Sequence, residues 1–210
     1  MRGHRIFAGL YDLMLRGTER GGLREMRAEL LVGARGRTLE LGAGTGLNLA
    51  HYTDAVTELV LTEPDPHMAR RLRKRLDDEP PAPARVEVVE APAEHVPFED
   101  GSFDSVVATL VLCSVETPGA AAREIARVLK PEGRFLCLEH VRSADRGLAR
   151  WQDRLERPWG WLGAGCHPNR DTVAELEAAG LETAGLARDQ LPKAPPIVRP
   201  LVRGRARRSS

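Results

Sequence analysis

Short apolar runs alternate with amphipathic segments along most of the chain. Runs of strand length lie at about 36–41 and in "ELVLTEP", "RVEVVEA", "SFDSVVATLVL" and "RFLCLEHV". Because segments with helical periodicity separate several of these runs, the pattern predicts an α/β protein with a mostly parallel sheet. The last two segments, "LETAGLARDQL" and "RPLVRGRARR", are predicted to form a final pair of strands.

The amphipathic segments predict the helices. They comprise an N-terminal helical region over 5–32, a short helix near 46–52, "PHMARRLRKRL", "PGAAAREIARVLK", and a helix over roughly 144–157 that leads into the irregular "RPWGWLGAGCHPNR". In "DTVAELEAAG", Asp171 is predicted to cap the start of a helix and Gly180 to follow its end. A single domain over 1–210 accounts for this organisation.

Composition narrows the class of protein. The chain has 210 residues, 42% of them hydrophobic, and a net charge of +1, which gives no reason to expect a polyanionic partner. The three cysteines, Cys113, Cys137 and Cys166, lack paired spacing, which favours reduced thiols. The sequence shows no secretory signal and no apolar run of about 20 residues. We therefore expect a cytoplasmic protein without a membrane span.

The stretch "TLELGAGTGLN" joins the first strand to a turn with Gly42, Gly44 and Gly46. Such turns let a ligand approach the backbone, and in dinucleotide-binding proteins they hold a pyrophosphate. Glu40, at the end of the strand, would repel a pyrophosphate and attract a cation. S-adenosylmethionine (SAM) carries an ammonium, a sulfonium and an adenosine but no phosphate. Glu40 therefore favours this cofactor.

A second acid, Glu63, ends the second strand 17 residues after Gly46. An acid at this position accepts hydrogen bonds from ribose hydroxyls in nucleotide-binding sheets. Nicotinamide-binding and SAM-binding proteins share that feature, so a nicotinamide-dependent oxidoreductase is the alternative from another class. Glu40 and the lack of a full G-x-G-x-x-G argue against this alternative.

Four blocks in order make the chain resemble the class I SAM-dependent methyltransferases over nearly its whole length. The blocks are "LELGAGTG", "LTEPD", "AEHVPFEDGSFDSVV" and "REIARVLKPEGRFLCLEH". The resemblance implies a Rossmann-like sheet of seven mostly parallel strands with helices on both faces. It also implies that SAM lies across the carboxyl ends of the first strands.

The resemblance also implies which residues bind the cofactor. Glu40 would face the amino group of the methionine part, Glu63 would hold the ribose, and Pro92 replaces an acid that binds adenine in many relatives. The implied set is Glu40, Gly42, Ala43, Gly44, Gly46, Asn48, Glu63, Pro64, Ala93, Glu94, Thr109, Leu110 and Val111. Within it, Pro64, Ala93 and Glu94 would lie near adenine, and the last three beneath the methionine part.

A narrower resemblance concerns the methyl acceptor. The stretches "TLVLCSV", "EHV", "RPWGWLGAGCHPNRDT" and "RPLVRGRA" are similar to animal methyltransferase-like proteins that methylate small alkyl thiols, and to bacterial relatives of these proteins. The resemblance implies a small acceptor such as an alkyl thiol. C- or N-methylation of a quinone, a lipid or another small molecule is the alternative. The arginines of "RPLVRGRARR" suggest nucleic acid, but no basic face matches them, so no such partner is predicted.

Candidate catalytic residues end the fifth strand. Glu139 and His140 lie at the edge where open α/β sheets bind ligands, and His140 is the best candidate for a base. Cys113, after the fourth strand, is predicted to be buried and inert. Cys166 and His167 are too few ligands for a metal, so no metal site is predicted.

Two segments are predicted to close the site. The resemblance implies that the N-terminal helices over 1–35, with Tyr11 and Asp12, form a lid over the cofactor. The segment 142–170, with its aromatic residues and glycines, is predicted to help form the acceptor pocket.

Overall fold

The computed structural model describes residues 16–163 and 165–209, and eight strands within them form one sheet. In chain order the strands are β1 (Gly36–Leu41), β2 (Val56–Thr62), β3 (Val86–Val89), β4 (Phe103–Thr109), β5 (Leu129–His140), β6 (Leu181–Glu182), β7 (Leu186–Gln190) and β8 (Pro200–Arg208). Their order across the sheet is β3-β2-β1-β4-β5-β8-β6, with β7 also paired to β8. Strands β1 to β5 are parallel and β8 is antiparallel to β5. The predicted α/β fold is confirmed.

The two faces of the sheet support separate apolar clusters, as side chains alternate along buried strands. In β4, Val106 belongs to one cluster and Val107 to the other. In β5, Cys137 packs with the first cluster, whereas Leu136 and Leu138 pack with the second. Helices must therefore cover both faces.

The helices of the described residues follow the predicted order. They are α1 (Arg24–Leu31), α2 (Pro66–Asp78), α3 (Pro118–Val128), α4 (Arg146–Leu162) and α5 (Thr172–Ala178), with a π-helical turn at Glu19–Leu23 and 3-10 turns at Leu49–His51 and Pro196–Val198. Asp65, Asp145 and Asp171 cap α2, α4 and α5 by accepting hydrogen bonds from backbone N–H groups of the first turn. The predicted cap at Asp171 is confirmed.

Two helix predictions need correction. The helix predicted near 46–52 is only a 3-10 turn at Leu49–His51, because the chain leaves the glycine turn with Gly46 at a φ of 82°. The helix predicted to end near residue 157 continues to Leu162 through Pro158. Trp159, which follows this proline, packs against the second apolar cluster, and this burial offsets the hydrogen bond that proline cannot make.

The structure describes only part of the segment predicted to form a lid, and it allows a search of the described helices for a membrane span. Tyr11 and Asp12 lie outside the described residues, which include 16–35 of the lid segment. Within the described chain, no helix combines the length and apolar character needed to cross a bilayer.

Candidate functional site

Positive backbone angles shape the glycine turn after β1. Gly42, Gly44 and Gly46 have φ angles of 57°, 58° and 82°, a region that favours glycine. A Cβ on Gly42 would lie 2.8 Å from a methyl group of Val111. A Cβ on Gly44 would meet, among the described residues, only the carbonyl oxygen of Gly42 at 3.9 Å. The backbone at Gly44 is therefore open to a ligand.

The turn forms one wall of a cleft at the carboxyl ends of β1 and β4. The cleft is lined by Arg27, Glu40, Gly42, Ala43, Gly44, Thr45, Leu47, Asn48 and Thr109. Open α/β sheets bind ligands at this edge. The fold thus brings together six of the predicted cofactor residues, namely Glu40, Gly42, Ala43, Gly44, Asn48 and Thr109.

Glu40 is held inside the cleft by two protein donors. The Tyr52 hydroxyl donates to Oε2 at 2.7 Å and the Asn48 amide donates to Oε1 at 2.9 Å. Burial raises the pKa of Glu40 to about 7, although both donors oppose the increase. Each carboxylate oxygen has two lone pairs. Glu40 therefore keeps the capacity to accept a further hydrogen bond from a ligand.

The raised pKa of Glu40 predicts a pH-dependent stability. Glu40 contributes stability that is fully present below pH 4.5, the ordinary pKa, and is lost as pH rises through about 7. From about pH 5 to pH 8, we expect the free energy of unfolding of the cofactor-free protein to fall by up to about 3 kcal/mol relative to Glu40→Gln. Urea unfolding of both proteins at the two pH values measures the difference. A difference that does not change with pH would contradict the prediction.

Arg27 lies in the same cleft, although it was not among the predicted site residues. It is only 3% exposed. Its Nη1 donates to Asn48 Oδ1 at 3.0 Å and to Thr109 Oγ1 at 2.9 Å, and its Nε donates to Glu19 at 3.1 Å. Asn48 also donates to Thr109 at 2.9 Å. A guanidinium and a carboxylate thus share one hydrogen-bonded network in the cleft.

Sequence reasoning missed Arg27 because it precedes every recognisable motif. A signal was nevertheless present in "LREMRAELL". Arg27 is spaced three or four residues from Leu23, Leu30 and Leu31, and all four are buried. An arginine on the apolar face of a helix is seldom fully buried unless it is paired.

Glu63 supports the glycine turn from the end of β2. Its carboxylate accepts hydrogen bonds from the backbone N–H of Gly44 at 2.8 Å and of Asp65 at 2.9 Å. Burial raises the pKa of Glu63. Pro64 is exposed beside it. The contacts of Glu63 with ribose and of Pro64 with adenine stay predictions.

Glu94 has a structural partner that the sequence did not reveal. Its Oε1 accepts hydrogen bonds from the backbone N–H groups of Glu116 at 2.7 Å and Thr117 at 3.2 Å. These groups lie at the start of α3, where the Thr117 side chain makes no capping bond. Glu94 therefore holds the segment that leads into this helix. Ala93 is buried beside it, and the contacts of both residues with adenine stay predictions.

Glu139 anchors the turn that follows β4. That turn begins at Leu110, whose φ of 60° is unusual for a residue with a side chain. The N–H of Val111 donates to Glu139 Oε1 at 2.8 Å. Glu139 is fully buried, which raises its pKa to about 7, and its Oε2 has no hydrogen-bond partner among the described residues. The geometry gives Glu139 a positioning role, and its catalytic role stays a prediction.

His140 lies beside two thiols. Its Nδ1 is 3.6 Å from the sulfur of Cys166, and the ligand atoms of Cys113, His140 and Cys166 all lie within 4.8 Å of one another. A hydrogen bond between the two cysteines raises the pKa of Cys113 and lowers that of Cys166. His167, the sequence neighbour of Cys166, instead contacts Glu156 at 2.8 Å. Sequence reasoning missed this grouping because its members come from three separate segments.

Comparison with known proteins identifies relatives over most of the chain. The family described as "Methyltransferase domain" matches residues 39–137. Human thiol S-methyltransferase TMT1B is 36% identical over 189 residues, which cover 87% of this chain and 77% of the human protein. The ubiquinone/menaquinone biosynthesis C-methyltransferase UbiE of Pseudomonas putida is 32% identical over 154 residues, which cover 70% of this chain and 59% of that protein.

Solved structures share the fold at lower identity. A SAM-dependent methyltransferase from Thermotoga maritima has a TM-score of 0.70 and 22% identity, and the match covers 98% of both chains. At this identity the likeness shows the fold alone. It agrees with the observed sheet.

Proposed function

This chain belongs to the SAM-dependent methyltransferases, and we propose that its methyl acceptor is a small thiol. The observation that carries the proposal is the 36% identity with human thiol S-methyltransferase TMT1B over 87% of the chain. The sulfur-rich, buried surroundings of His140 are consistent with an apolar acceptor pocket at the end of β5. The competing acceptor is a quinone carbon, for which the 32% identity with UbiE is the supporting observation.

The methionine part of SAM is proposed to lie between Glu40 and Arg27. This part of the cofactor carries an ammonium and a carboxylate, and the cleft offers one side chain of each opposite charge. Glu40 would accept from the ammonium, and Arg27 would donate to the carboxylate. The adenosine would then extend toward Glu63. The residues predicted to lie near its adenine ring are Pro64, Ala93 and Glu94.

The turn after β4 is proposed to face the reacting end of the cofactor. Thr109 lines the cleft, and Val111 packs against Gly42 of the glycine turn. Leu110 connects the two with its strained backbone. Small changes in this turn would therefore alter the position of the methyl group.

Methyl transfer from a sulfonium needs positioning and removal of water more than acid or base catalysis. The acceptor thiol releases its proton to solvent, its sulfur forms a bond to the methyl carbon, and the bond from that carbon to the sulfonium breaks. The products are a methyl thioether and S-adenosylhomocysteine. A thiol is about a few per cent ionised at neutral pH and is intrinsically nucleophilic, so no strong base is required.

The segment 142–170 is proposed to form the acceptor side. Trp159 and Cys166 both pack in the second apolar cluster, and the Nε1 atom of Trp159 is buried without a hydrogen-bond partner among the described residues. The N-terminal residues over 1–35 are proposed to act as the lid, since Arg27 already reaches into the cleft from α1.

Mass spectrometry of the methylated products tests the acceptor. Purified protein and SAM would be incubated in parallel with small alkyl thiols, a quinol and an amine. We expect thioether and S-adenosylhomocysteine in equal amounts with the thiols. Methylation of the quinol without thioether formation would overturn the thiol proposal and leave the methyltransferase assignment intact.

A matched pair of glycine variants tests the predicted contact of the cofactor with the turn. Gly44 and Gly180 both have positive φ angles, 58° and 80°, and neither would bring a new Cβ closer than 3.9 Å to a described atom. Gly44→Ala and Gly180→Ala should therefore each cost about 1 kcal/mol of stability through backbone strain. Only Gly44→Ala should also weaken SAM binding, by about tenfold or more. Calorimetric titration and thermal unfolding measure the two effects, and equal affinities would contradict the predicted contact.

A further inference from the structure

Three segments bring two thiols and an imidazole to one buried place. Cys113 follows β4, His140 ends β5 and Cys166 lies in the loop after α4. Their ligand atoms lie within 4.8 Å of one another, and all three residues are buried. We call this group the Cys-His-Cys cluster.

One separation within the cluster, that between His140 and Cys166, matches a tetrahedral metal site. Zinc binds cysteine sulfur at about 2.3 Å and histidine nitrogen at about 2.0 Å, which places the two ligand atoms about 3.5 Å apart at a tetrahedral angle. The observed separation between His140 Nδ1 and Cys166 Sγ is 3.6 Å. Two thiolates would also balance the charge of a divalent ion. Cys₂His is a ligand set that catalytic zinc sites use.

Two buried polar atoms of the residues that end β5 have no hydrogen-bond partner among the described residues. His140 is only 9% exposed, and its Nε2 is buried without a hydrogen-bond partner among the described residues. Oε2 of the adjacent Glu139 is in the same condition. Nε2 is the ring nitrogen opposite to Nδ1, so the imidazole presents Nδ1 to the sulfur of Cys166 and leaves Nε2 for a partner outside the ligand set.

Backbone contacts fix the cluster in place. The N–H of His167 donates to the carbonyl of Cys113 at 2.8 Å, which joins the two cysteine loops. The Arg170 guanidinium donates to the carbonyl of Leu112 at 2.8 Å and joins the same loops a second time. A preorganised set of ligands binds a metal more tightly than one that must be assembled.

The cluster lies next to the cofactor cleft. Val111 contacts Gly42 of the glycine turn, and its N–H donates to Glu139, the residue before His140. Val111 therefore links the glycine turn that lines the cleft to the strand end that carries the cluster. An acceptor bound at the cluster would lie on the side of the proposed methyl group.

We propose that Cys113, His140 and Cys166 bind a Zn²⁺ ion whose fourth position takes the sulfur of the acceptor thiol. This inference rests on the proposed thiol acceptor, and it departs from the sequence-based prediction that no metal site exists. The acceptor loses its proton to solvent on binding, because a thiol coordinated to zinc is deprotonated. Its sulfur then forms the bond to the methyl carbon as the sulfonium bond breaks, and the thioether leaves the metal.

Metal content tests the site first. Protein supplied with Zn²⁺ and freed of excess ion should retain about one zinc per chain by elemental mass spectrometry. Cys113→Ala and Cys166→Ala should each lose most of it. Cys137→Ala is the matched control, since Cys137 is equally buried in β5 but packs in the other apolar cluster. The site would be overturned if the wild-type protein retained no more zinc per chain than the Cys113→Ala/Cys166→Ala double variant. A disulfide between the two cysteines in the intact protein would also overturn it.

Cobalt substitution tests whether the acceptor binds the metal, and it does not depend on variants that fold poorly. Wild-type protein loaded with Co²⁺ should show sulfur-to-cobalt charge-transfer absorption. Adding 2-mercaptoethanol should change this spectrum, whereas its methyl thioether should not. A spectrum that is insensitive to the thiol would overturn the role of the fourth position.

The effect of chelation separates this inference from the proposed function. Removing the metal should lower thioether formation about 30-fold at neutral pH, because the free thiol is then only about a few per cent ionised. SAM affinity should not change. Undiminished thioether formation by metal-free protein would overturn the zinc proposal while the thiol acceptor stands. Zinc bound at the cluster without any thioether formation would instead overturn the thiol acceptor.

Discussion

Replacing Glu40 with glutamine is expected to weaken SAM binding by about 10- to 100-fold. A hydrogen bond between charged groups contributes about 1.5–3 kcal/mol, and each 1.4 kcal/mol corresponds to about tenfold in affinity. Glutamine keeps the shape of the side chain and retains a carbonyl that can accept a hydrogen bond from Asn48 or Tyr52. The variant therefore removes the charge with little change in packing. Isothermal titration with SAM measures the effect.

Two controls make the Glu40 result specific. Glu99→Gln removes one carboxylate charge from an exposed position and should leave affinity unchanged. Methylthioadenosine lacks the amino-acid part of SAM, so it should bind wild type and Glu40→Gln equally. Equal binding of SAM itself by both proteins would remove the role proposed for Glu40.

Replacing Arg27 with methionine is expected to weaken SAM binding by a similar factor, about 10- to 100-fold. The guanidinium is buried and already oriented by Asn48 and Thr109. It would pair with the carboxylate of the methionine part without a large cost in side-chain entropy. Methionine keeps most of the aliphatic volume of arginine, so the loss should come mainly from charge and hydrogen bonds.

Decarboxylated SAM distinguishes a direct contact of Arg27 from a structural one. This analogue lacks the carboxylate and should bind Arg27→Met about as well as it binds wild type. Arg24→Met, at an exposed position of the same helix, controls for the change of net charge. If Arg27→Met lost affinity for SAM and for the analogue equally, Arg27 would support the cleft without contacting the carboxylate.

Local patterns in the sequence were sufficient to predict most of the fold. The strand predicted at 36–41 is β1, and the cap at Asp171 is present, because both depend on neighbours close in the chain. The prediction of a helix near 46–52 was wrong. Residues that favour a helix are present there, but three glycines with positive φ angles impose a turn instead. The helix predicted over roughly 144–157 continues through Pro158, because tertiary packing of Trp159 carries it further.

The candidate site was only partly predictable for the same reason. Glu40, Asn48 and Thr109 were found through short motifs, and the fold brings them to one cleft. The network that holds Glu40 includes Arg27 and Tyr52, which no motif marks. Such contacts arise only when distant segments pack. The same limit applied to the Cys-His-Cys cluster, whose members were judged separately along the chain.

The arginine-rich segment near residues 200–208 is a strand, as predicted. It forms β8 within the sheet, and Arg203 donates to Asp189 at 2.7 Å and is ion-paired with Glu29. Arg208 donates to the carbonyl of Leu129. Alternation along a strand, with Val202 and Ala206 buried, explains why this basic segment contains apolar residues.

The position of β8 between β5 and β7 has a consequence for synthesis of the protein. While the ribosome is still translating residues 141–199, β5 has a partner on one side only, and its other edge exposes unpaired N–H and C=O groups. Glu139 and His140 face Val202 and Leu201 across that edge. A nascent chain paused there would carry an open strand available to other chains, and aggregation would begin at the strand that ends in Glu139 and His140.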